Sequence, residues 1–215
     1  MSRRTKGARA PTLRKAIKRA TRAAYHEAIL EAAERVFVRD GFHETKMADV
    51  AAETGVSVGT LYNYFESKEL VFASIIERGQ AELDARVDTA SSAEDPLERV
   101  RDVLRTGFGF IEERGALFTV FMQIGLRSEA DIQRVAGDHA EQGYQRFLGV
   151  LQRAMEQAAE QGMVRTDLTP AALASALAGM SNGFIFAWLR SGRKESLTDR
   201  ADDLLKLFLE GAKKP

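Results

Sequence analysis

The side chains best suited to binding another molecule cluster between residues 62 and 68. Tyr62 and Tyr64 carry hydroxyls that can donate hydrogen bonds to phosphate oxygens, and Asn63 between them can bond bidentately to an adenine edge. Lys68 adds a point charge at the expected start of a helix, whose free N–H groups also attract anions. These groups are suited to binding a nucleic acid rather than to catalysis.

Three helices must position these side chains, because apolar residues recur at helical spacing in three segments. The apolar positions are Ile29, Ala33, Val36 and Phe37, then Val50 and Ala51, then Leu61, Tyr62 and Phe65. Between the second and third segments, residues 54–57 (TGVS) combine a glycine, an inward valine and a serine that can cap a helix. The arrangement predicts a helix-turn-helix whose last helix lies in a DNA major groove.

The stretch from Gly41 to Leu70 closely resembles the DNA-binding signature of the TetR family of transcriptional regulators. Gly41-Phe42, Thr45 and the run GVSVGTLYNYFESKEL at residues 55–70 carry the resemblance, which extends over about residues 25–72. It implies that the positions facing DNA are Val58, Gly59, Thr60, Tyr62 and Tyr64, and that Lys68 binds a phosphate. The alternative for each tyrosine is a half-buried place in the core.

Base-specific contacts are few in this set. Val58 and Gly59 can only touch thymine methyl groups or approach a base edge closely, so specificity must rest on Asn63, Thr60, DNA shape and the basic arm before residue 25. The sequence also departs from the family pattern at Lys46, where Ser or Thr is usual, and at Ala48, where a polar residue is common. We therefore expect Thr45 to cap the second helix and Lys46 to add a phosphate contact.

The net charge of zero is made of two opposite parts. Residues 1–68 hold 13 Lys and Arg against 8 Asp and Glu, net +5, while residues 69–215 hold 18 against 23, net −5. Within residues 1–26 there are nine basic residues and no acidic one. Such an arm suits a polyphosphate partner, either reaching into a flanking groove or remaining solvated, although transit peptides share this composition.

Two patterns that suggest enzyme chemistry have simpler explanations. Residues 55–59 (GVSVG) match the G-x-S-x-G nucleophile elbow, but that motif needs a strand before its serine, and a helix is predicted here. His26, His43 and His139 are isolated, with no cysteine in the chain to complete a metal site. We expect no enzyme activity, no metal and no cofactor.

The whole chain is predicted to be all-α. Glycines, prolines and capping residues place nine helices, the first beginning near Arg14 or Arg22 and ending at Gly41. The others are expected at about 46–54, 58–65, 67–89, 95–114, 116–125, 129–161, 170–190 and 198–212. The expected organisation is a basic arm (1–21), a helix-turn-helix domain (22–68) and a helical effector-binding and dimerisation domain (69–215).

Aromatic and apolar residues on the central helices are candidates for a ligand site. They are Phe108, Ile111, Phe118, Phe121, Met122, Tyr144, Phe147, Leu151, Phe184 and Trp188. Such residues line concave sites, although a plain core uses them too. Gln123, Tyr144 and Asn182 can orient a ligand among them. The expected effector is a small apolar or amphipathic molecule.

Small and apolar residues on the last two helices are candidates for dimerisation. They are Ala171, Ala174, Ala178, Gly179, Gly183, Leu204, Leu205 and Phe208. By family resemblance these helices pair across a two-fold axis as a four-helix bundle, whereas an intrachain core is the alternative. Residues 171–189 are uncharged and nominally long enough to cross a bilayer, but Ala, Gly, Ser and Asn dilute them. We expect a buried helix, a cytoplasmic protein and no membrane partner.

The sequence thus predicts a homodimeric repressor that binds double-stranded DNA and responds to a small-molecule effector. The runner-up is a family member that activates transcription, or that binds DNA architecturally without a ligand. An enzyme is the least supported reading.

Overall fold

The computed structural model describes the backbone of residues 13–90, 92–127 and 129–212, and the side chains of residues 13–90, 92–124, 135 and 141–211. Within these residues the chain forms nine helices and no strand, so the all-α prediction is confirmed. The helices are α1 (Leu13–Asp40), α2 (Met47–Thr54), α3 (Val58–Tyr62), α4 (Lys68–Ala90), α5 (Pro96–Glu113), α6 (Gly115–Arg127), α7 (Glu129–Glu160), α8 (Pro170–Arg190) and α9 (Arg200–Ala212).

Two compact units make up the chain, the first ending at Val71 and the second beginning at Phe72. Helix α1 starts at Leu13, so residues 13–21 of the predicted arm are helical. Residues 1–12, which carry the rest of that arm, lie outside the described residues.

The first unit is a small three-helix core. The residues buried in it include Ile29, Ala33, Val36, Phe37, Val50, Ala51, Leu61 and Phe65. The sequence predicts Tyr62 both as a core residue and as a DNA-facing residue. Its side chain is 51% exposed, so it does not belong to the core. Helix α3 ends at Tyr62, three residues before the predicted end, because Asn63 and Tyr64 donate their backbone N–H groups to carbonyls three residues back.

The turn between α2 and α3 depends on Gly55, whose φ of +77° is in the left-handed region. Its N–H donates to the carbonyl of Ala52, and the next N–H, of Val56, donates to Ala51. This pair of bonds is the Schellman ending of a helix. Ser57 then accepts a hydrogen bond from the N–H of Thr60 at 3.0 Å and caps α3, as predicted.

Helix α2 begins differently from the prediction. Lys46 is the N-cap residue, and its backbone N–H donates to the Asp49 carboxylate at 2.8 Å. Thr45 is buried, and its hydroxyl donates to the carbonyl of Gly41 at 2.7 Å. The expectation that Thr45 caps α2 is therefore wrong, because its hydroxyl closes the preceding loop instead.

In the second unit α7 packs against α5, α6 and α8, while α9 packs against α5 and α8. The largest fully buried side chains at its centre include Leu104, Phe108, Leu151, Met155 and Leu177. Helix α8 begins as predicted, with Thr169 accepting from the N–H of Ala172 and Pro170 in the first turn. By length and composition α8 could cross a membrane. One side of it is nevertheless buried in the core of this unit.

A carboxylate on α5 fixes the loop before α9. Glu112 accepts hydrogen bonds from the backbone N–H and the hydroxyl of Thr198, at 2.9 and 2.7 Å, and from the hydroxyl of Ser196 at 3.3 Å. Burial tends to raise the pKa of Glu112, but these hydrogen bonds outweigh it and hold the pKa below its ordinary value. The loop is thereby tied to the helix that carries Phe108 and Ile111.

The two glycines of the helix-turn-helix predict opposite effects of alanine. We expect Gly55→Ala to lower the free energy of unfolding of the first unit by about 1–2 kcal/mol, because a Cβ is disfavoured at a left-handed φ. Gly59→Ala, inside α3 with no atom closer than 4.0 Å to the added Cβ, should leave it unchanged or raise it by up to about 1 kcal/mol. Urea unfolding followed by circular dichroism measures the free energy of unfolding of both variants. Equal effects of the two substitutions would show that the left-handed turn at Gly55 does not limit stability.

Candidate nucleic-acid interface and internal cavity

Helix α3 exposes one side that carries most of the predicted DNA-facing residues. Val58 is 41% and Tyr62 51% exposed, and Gly59 and Asn63 are also exposed. Because these are two pairs four residues apart, they share a face, while Leu61 points into the core. The surface combines an apolar contact, a hydroxyl and an amide, with a glycine that allows close approach.

Thr60 and Ser57 form the N-terminal edge of this face. Their hydroxyl oxygens lie 2.8 Å apart in a hydrogen bond, and the Ser57 oxygen also accepts the N–H of Thr60. Thr60 is half-buried, and its hydroxyl is already hydrogen-bonded at the start of α3. Its exposed part can still contact a partner.

An aromatic and cationic cluster follows the end of α3. The half-buried ring of Tyr64 packs on Tyr25 with ring centroids 6.2 Å apart, and the Arg22 guanidinium lies 5.5 Å from the Tyr64 centroid. Such a cation over an aromatic ring is attractive. Arg22 was seen in the sequence only as one cation of the arm, and neither it nor Tyr25 was placed at this site, since only the fold brings α1 to Tyr64.

Lys46 is exposed at the N-terminus of α2. The partial positive charge of a helix start and the ammonium group act together there, which favours an anion such as phosphate. The placement suits the phosphate contact expected from the sequence.

Lys68 has a different environment. Its ammonium donates to the backbone carbonyls of Phe42, His43 and Thr45, at 2.8, 2.8 and 2.9 Å, and lies 4.9 Å from the centroid of the Phe42 ring. A lysine has three N–H donors, and all three are used here. The side chain therefore holds the loop between α1 and α2 to the start of α4, and the expected phosphate bond requires one of these bonds to be given up.

Ion pairs brace α1 against α2. Glu53 accepts from Arg35 at 2.9 Å and from Arg39 at 3.3 Å. The hydrogen bond from Arg35, followed by that from Arg39, lowers the pKa of the Glu53 carboxyl. The group stays ionised at neutral pH, and this pairing was not identified from the sequence.

The second unit contains a partly open cavity of about 190 Å³. Its apolar lining is Leu83, Val87, Val103, Leu104, Phe108, Ile111, Phe118, Phe147 and Ile185. Its polar lining is Gln80, Asp84, Tyr144, Arg146, Ser181 and Asn182. Gly107 and Gly143 complete the wall.

Half of the predicted ligand residues line this cavity, namely Phe108, Ile111, Phe118, Tyr144 and Phe147. Asn182, expected to orient a ligand, lies there too. Phe121 and Met122 are half-buried on α6 away from its lining, and Leu151 is fully buried in the core. Phe184 and Trp188 line a separate shallow groove beside α9, where the indole N–H donates to the carbonyl of Glu195 at 2.7 Å.

Three of the six polar lining residues, Gln80, Asp84 and Arg146, form a connected set. The Gln80 amide donates to Asp84 at 2.8 Å, and the Arg146 guanidinium lies 3.5 Å from Asp84 and bonds to Asp88 at 2.9 Å. The carboxylate in the lining is thus already paired with a cation. The sequence offered no sign of this set, because Gln80 and Arg146 are 66 positions apart in a chain with many charged helices.

The predicted dimerisation residues divide into two groups by exposure. Ala171, Gly179 and Gly183 are exposed on α8. Ala174, Ala178, Leu204, Leu205 and Phe208 are buried within the second unit itself. The buried group packs α8 and α9 together within one chain and has no free surface for a second copy.

Comparisons with known proteins agree with this geometry. Residues 29–75 match the family described as bacterial regulatory proteins, tetR family. The chain is 28% identical to the HTH-type transcriptional regulator YfiR of Bacillus subtilis, over 85% of this chain and 88% of that protein. It is 24% identical to the HTH-type transcriptional repressor DhaR of a Mycobacterium species, over 79% of this chain and 84% of the relative.

A solved structure shares the fold over most of the chain. It is the transcriptional regulator FadR from Bacillus subtilis in complex with stearoyl-CoA, with a TM-score of 0.73 and 19% identity, covering 86% of this chain and 98% of that one.

The bonds made by Lys68 predict that it contributes to stability in the absence of DNA. We expect Lys68→Met to lower the free energy of unfolding of the first unit by about 2–3 kcal/mol, because three partly buried carbonyls lose a charged donor. The matched change Lys46→Met, at an exposed position, should alter it by less than about 0.5 kcal/mol. Denaturant unfolding of the free protein decides the question, since a lysine that served only to bind phosphate would leave stability unchanged.

Proposed function

This chain belongs to the TetR family of bacterial regulatory proteins, and we propose that it is a ligand-responsive transcriptional repressor. It binds a pseudo-palindromic operator as a homodimer and is released by a small apolar or amphipathic effector. The observation that carries the proposal is the exposed face of α3, which presents Val58, Gly59, Tyr62 and Asn63 beside the tight turn at Gly55.

DNA binding by this face combines few base contacts with several phosphate contacts. Asn63 is exposed and is the residue proposed to read an adenine edge. Lys46, Tyr62 and Tyr64 are proposed to bind phosphates, and Thr60 to support the start of α3 at the DNA surface. Phosphate contacts position the protein without reading sequence, so affinity should exceed what the base contacts alone provide.

The effector is proposed to bind in the cavity lined by Phe108, Ile111, Phe118 and Phe147. The stearoyl-CoA bound to the similar FadR supports an effector with an apolar chain. At about 190 Å³ the cavity is smaller than typical small-molecule sites of roughly 300–1,000 Å³. A short apolar group therefore fits as the cavity stands, and a longer chain requires it to widen.

Dimerisation is proposed to use the exposed side of α8, where Gly179 and Gly183 allow a second helix to approach closely. Leu207 on α9 is 54% exposed and adds apolar surface next to Gly183 and Phe184, with which it lines the groove beside α9. This set replaces the buried leucines expected from the sequence.

Repression follows when the bound dimer blocks transcription, as the related DhaR is described as a repressor. An effector that favours a DNA-incompetent state weakens operator binding by a coupling free energy of typically about 1–3 kcal/mol. The proposed site of action is the bacterial cytoplasm, where the DNA is located. Binding and release of DNA require no catalytic step.

Selection of duplexes from a random library tests the DNA-binding proposal. We expect a two-fold symmetric site with half-site centres about 34–36 Å apart, or slightly more if the groove widens. Asn63→Ala should relax preference at one base pair per half-site, at a cost of about 1–3 kcal/mol, because Asn63 is the one side chain on the exposed face of α3 that is suited to a bidentate base contact. Tyr62→Phe, which removes a phosphate donor, should weaken all sequences alike. Asymmetric selected sites, or the same uniform loss for both variants, would contradict these roles.

Filling the cavity tests the ligand proposal. Gly107 is helical, lines the cavity and has no atom within 4 Å of an added Cβ, so Gly107→Leu should occupy the space. A series of fatty acids and their CoA thioesters should raise the Tm of the wild type and release DNA, but should do neither for Gly107→Leu. Gly107→Ala, which adds one methyl group, should keep most of the response. Equal responses of the wild type and Gly107→Leu, or a screen yielding only hydrophilic charged binders, would refute the site.

A further inference from the structure

Helix α1 extends well beyond the core that its second half helps to build. Its first buried residue is Ile29, sixteen residues after its start at Leu13. The residues from 13 to 25 are all exposed, including Leu13 at 78% and Ile17 at 58%. A helical segment without tertiary burial is marginally stable in water, so this extension needs another source of stability.

The extension carries its charge on one side. Its cations are Arg14, Lys15, Lys18, Arg19 and Arg22, and no acidic residue precedes Glu27. At about 100° per residue, all five fall within an arc of about 140°. Three pairs of them are four residues apart, a spacing at which like charges destabilise a helix. None forms an ion pair with a residue that the structure describes, so the described part of the chain does not relieve the repulsion.

The basic side of α1 faces the end of α3. Arg22 lies over the Tyr64 ring, and Tyr25, at the edge of the arc, packs on that ring. Tyr64 follows α3 by two residues. The basic side of α1 is therefore turned toward the part of the first unit that is proposed to meet DNA. Arg14 lies about 12 Å farther along the helix axis than Arg22, at about 1.5 Å per residue.

We propose that residues 14–22 of α1 form a second DNA contact, in which the basic side of the helix binds backbone phosphates beyond those reached by α3. The inference rests on the proposed DNA-binding function. Phosphates neutralise the five like charges, and the contact is independent of base sequence because backbone phosphates are the same for every base.

The opposite side of the extension carries Leu13, Ile17, Ala20 and Ala24. A basic helix with an apolar stripe is also the pattern of a helix that lies on an anionic membrane. The position of the basic side next to Tyr64 favours DNA, and binding to anionic vesicles is the competing outcome.

The salt dependence of DNA binding tests the proposal in the full-length protein. The probe is a duplex selected from a random library by the wild type, titrated at several salt concentrations. The variant replaces Arg14, Lys15, Lys18 and Arg19 by Gln and keeps Arg22 on Tyr64. The control replaces four exposed cations of the second unit by Gln, namely Arg105, Arg153, Lys194 and Lys206. Both variants remove four positive charges. A difference between them therefore does not come from the change in the net charge of the protein.

Each phosphate contact contributes about 0.9 to the slope of log Kobs against log salt. We expect the α1 variant to lower the magnitude of this slope by about 2–4 and to keep the same ranking of DNA sequences, while the control keeps the wild-type slope. Equal slopes for the two variants would overturn the second contact while leaving the proposed function intact. A wild type that binds no duplex would instead overturn the proposed function itself.

Vesicles of phosphatidylserine and phosphatidylcholine provide the remaining arm of the test. Wild-type binding to these vesicles that is lost in the α1 variant, together with an unchanged DNA slope, would identify a membrane-surface helix and overturn the proposal. Circular dichroism of the variants confirms that the helical core is retained, which is expected because all eight substituted positions are exposed.

Discussion

The left-handed backbone at Gly55 is the constraint on which the DNA-reading surface depends. It ends α2 and lets α3 start three residues later, capped by Ser57. With α3 so placed, Leu61 enters the core and Val58 and Tyr62 remain outside. Any residue with a Cβ disfavours this turn, so the position of the exposed face of α3 depends on a residue that lies outside that helix.

Helix boundaries could be predicted from the sequence because they depend on local chemistry. Thr169 with Pro170, and Ser57 after Gly55, act within a few residues of their own positions. Thr45 shows where this reasoning fails. A threonine before a helix is a good cap, but the hydroxyl of Thr45 is taken by the carbonyl of Gly41 in a loop that Lys68 also binds. The competing acceptor is only four residues before Thr45, but the loop that presents it is held by Lys68, 23 residues after Thr45, and local spacing does not show that contact.

Only half of the residues predicted to bind a ligand line the cavity of the second unit, for a related reason. Periodicity shows which side of a helix is apolar, and that was enough to select Phe108 and Phe147. It does not show whether that side meets another helix or a void. Leu151 is in the same helix as Phe147, yet it is fully buried in the core, whereas Gly107 matters because it has no side chain to fill the space. Cavities arise from how several helices pack, so they appear only in three dimensions.

The scarcity of base-reading groups on α3 has a consequence for how such a protein finds its site. One bidentate contact, of the kind proposed for Asn63, discriminates by about 1–3 kcal/mol, and a two-fold symmetric dimer applies it twice. The phosphate contacts proposed for Lys46, the tyrosines and α1 would raise affinity for every sequence equally. Selectivity then depends on how well the spacing of two half-sites fits the dimer. A change that alters this fit therefore affects specific binding more than binding to DNA in general.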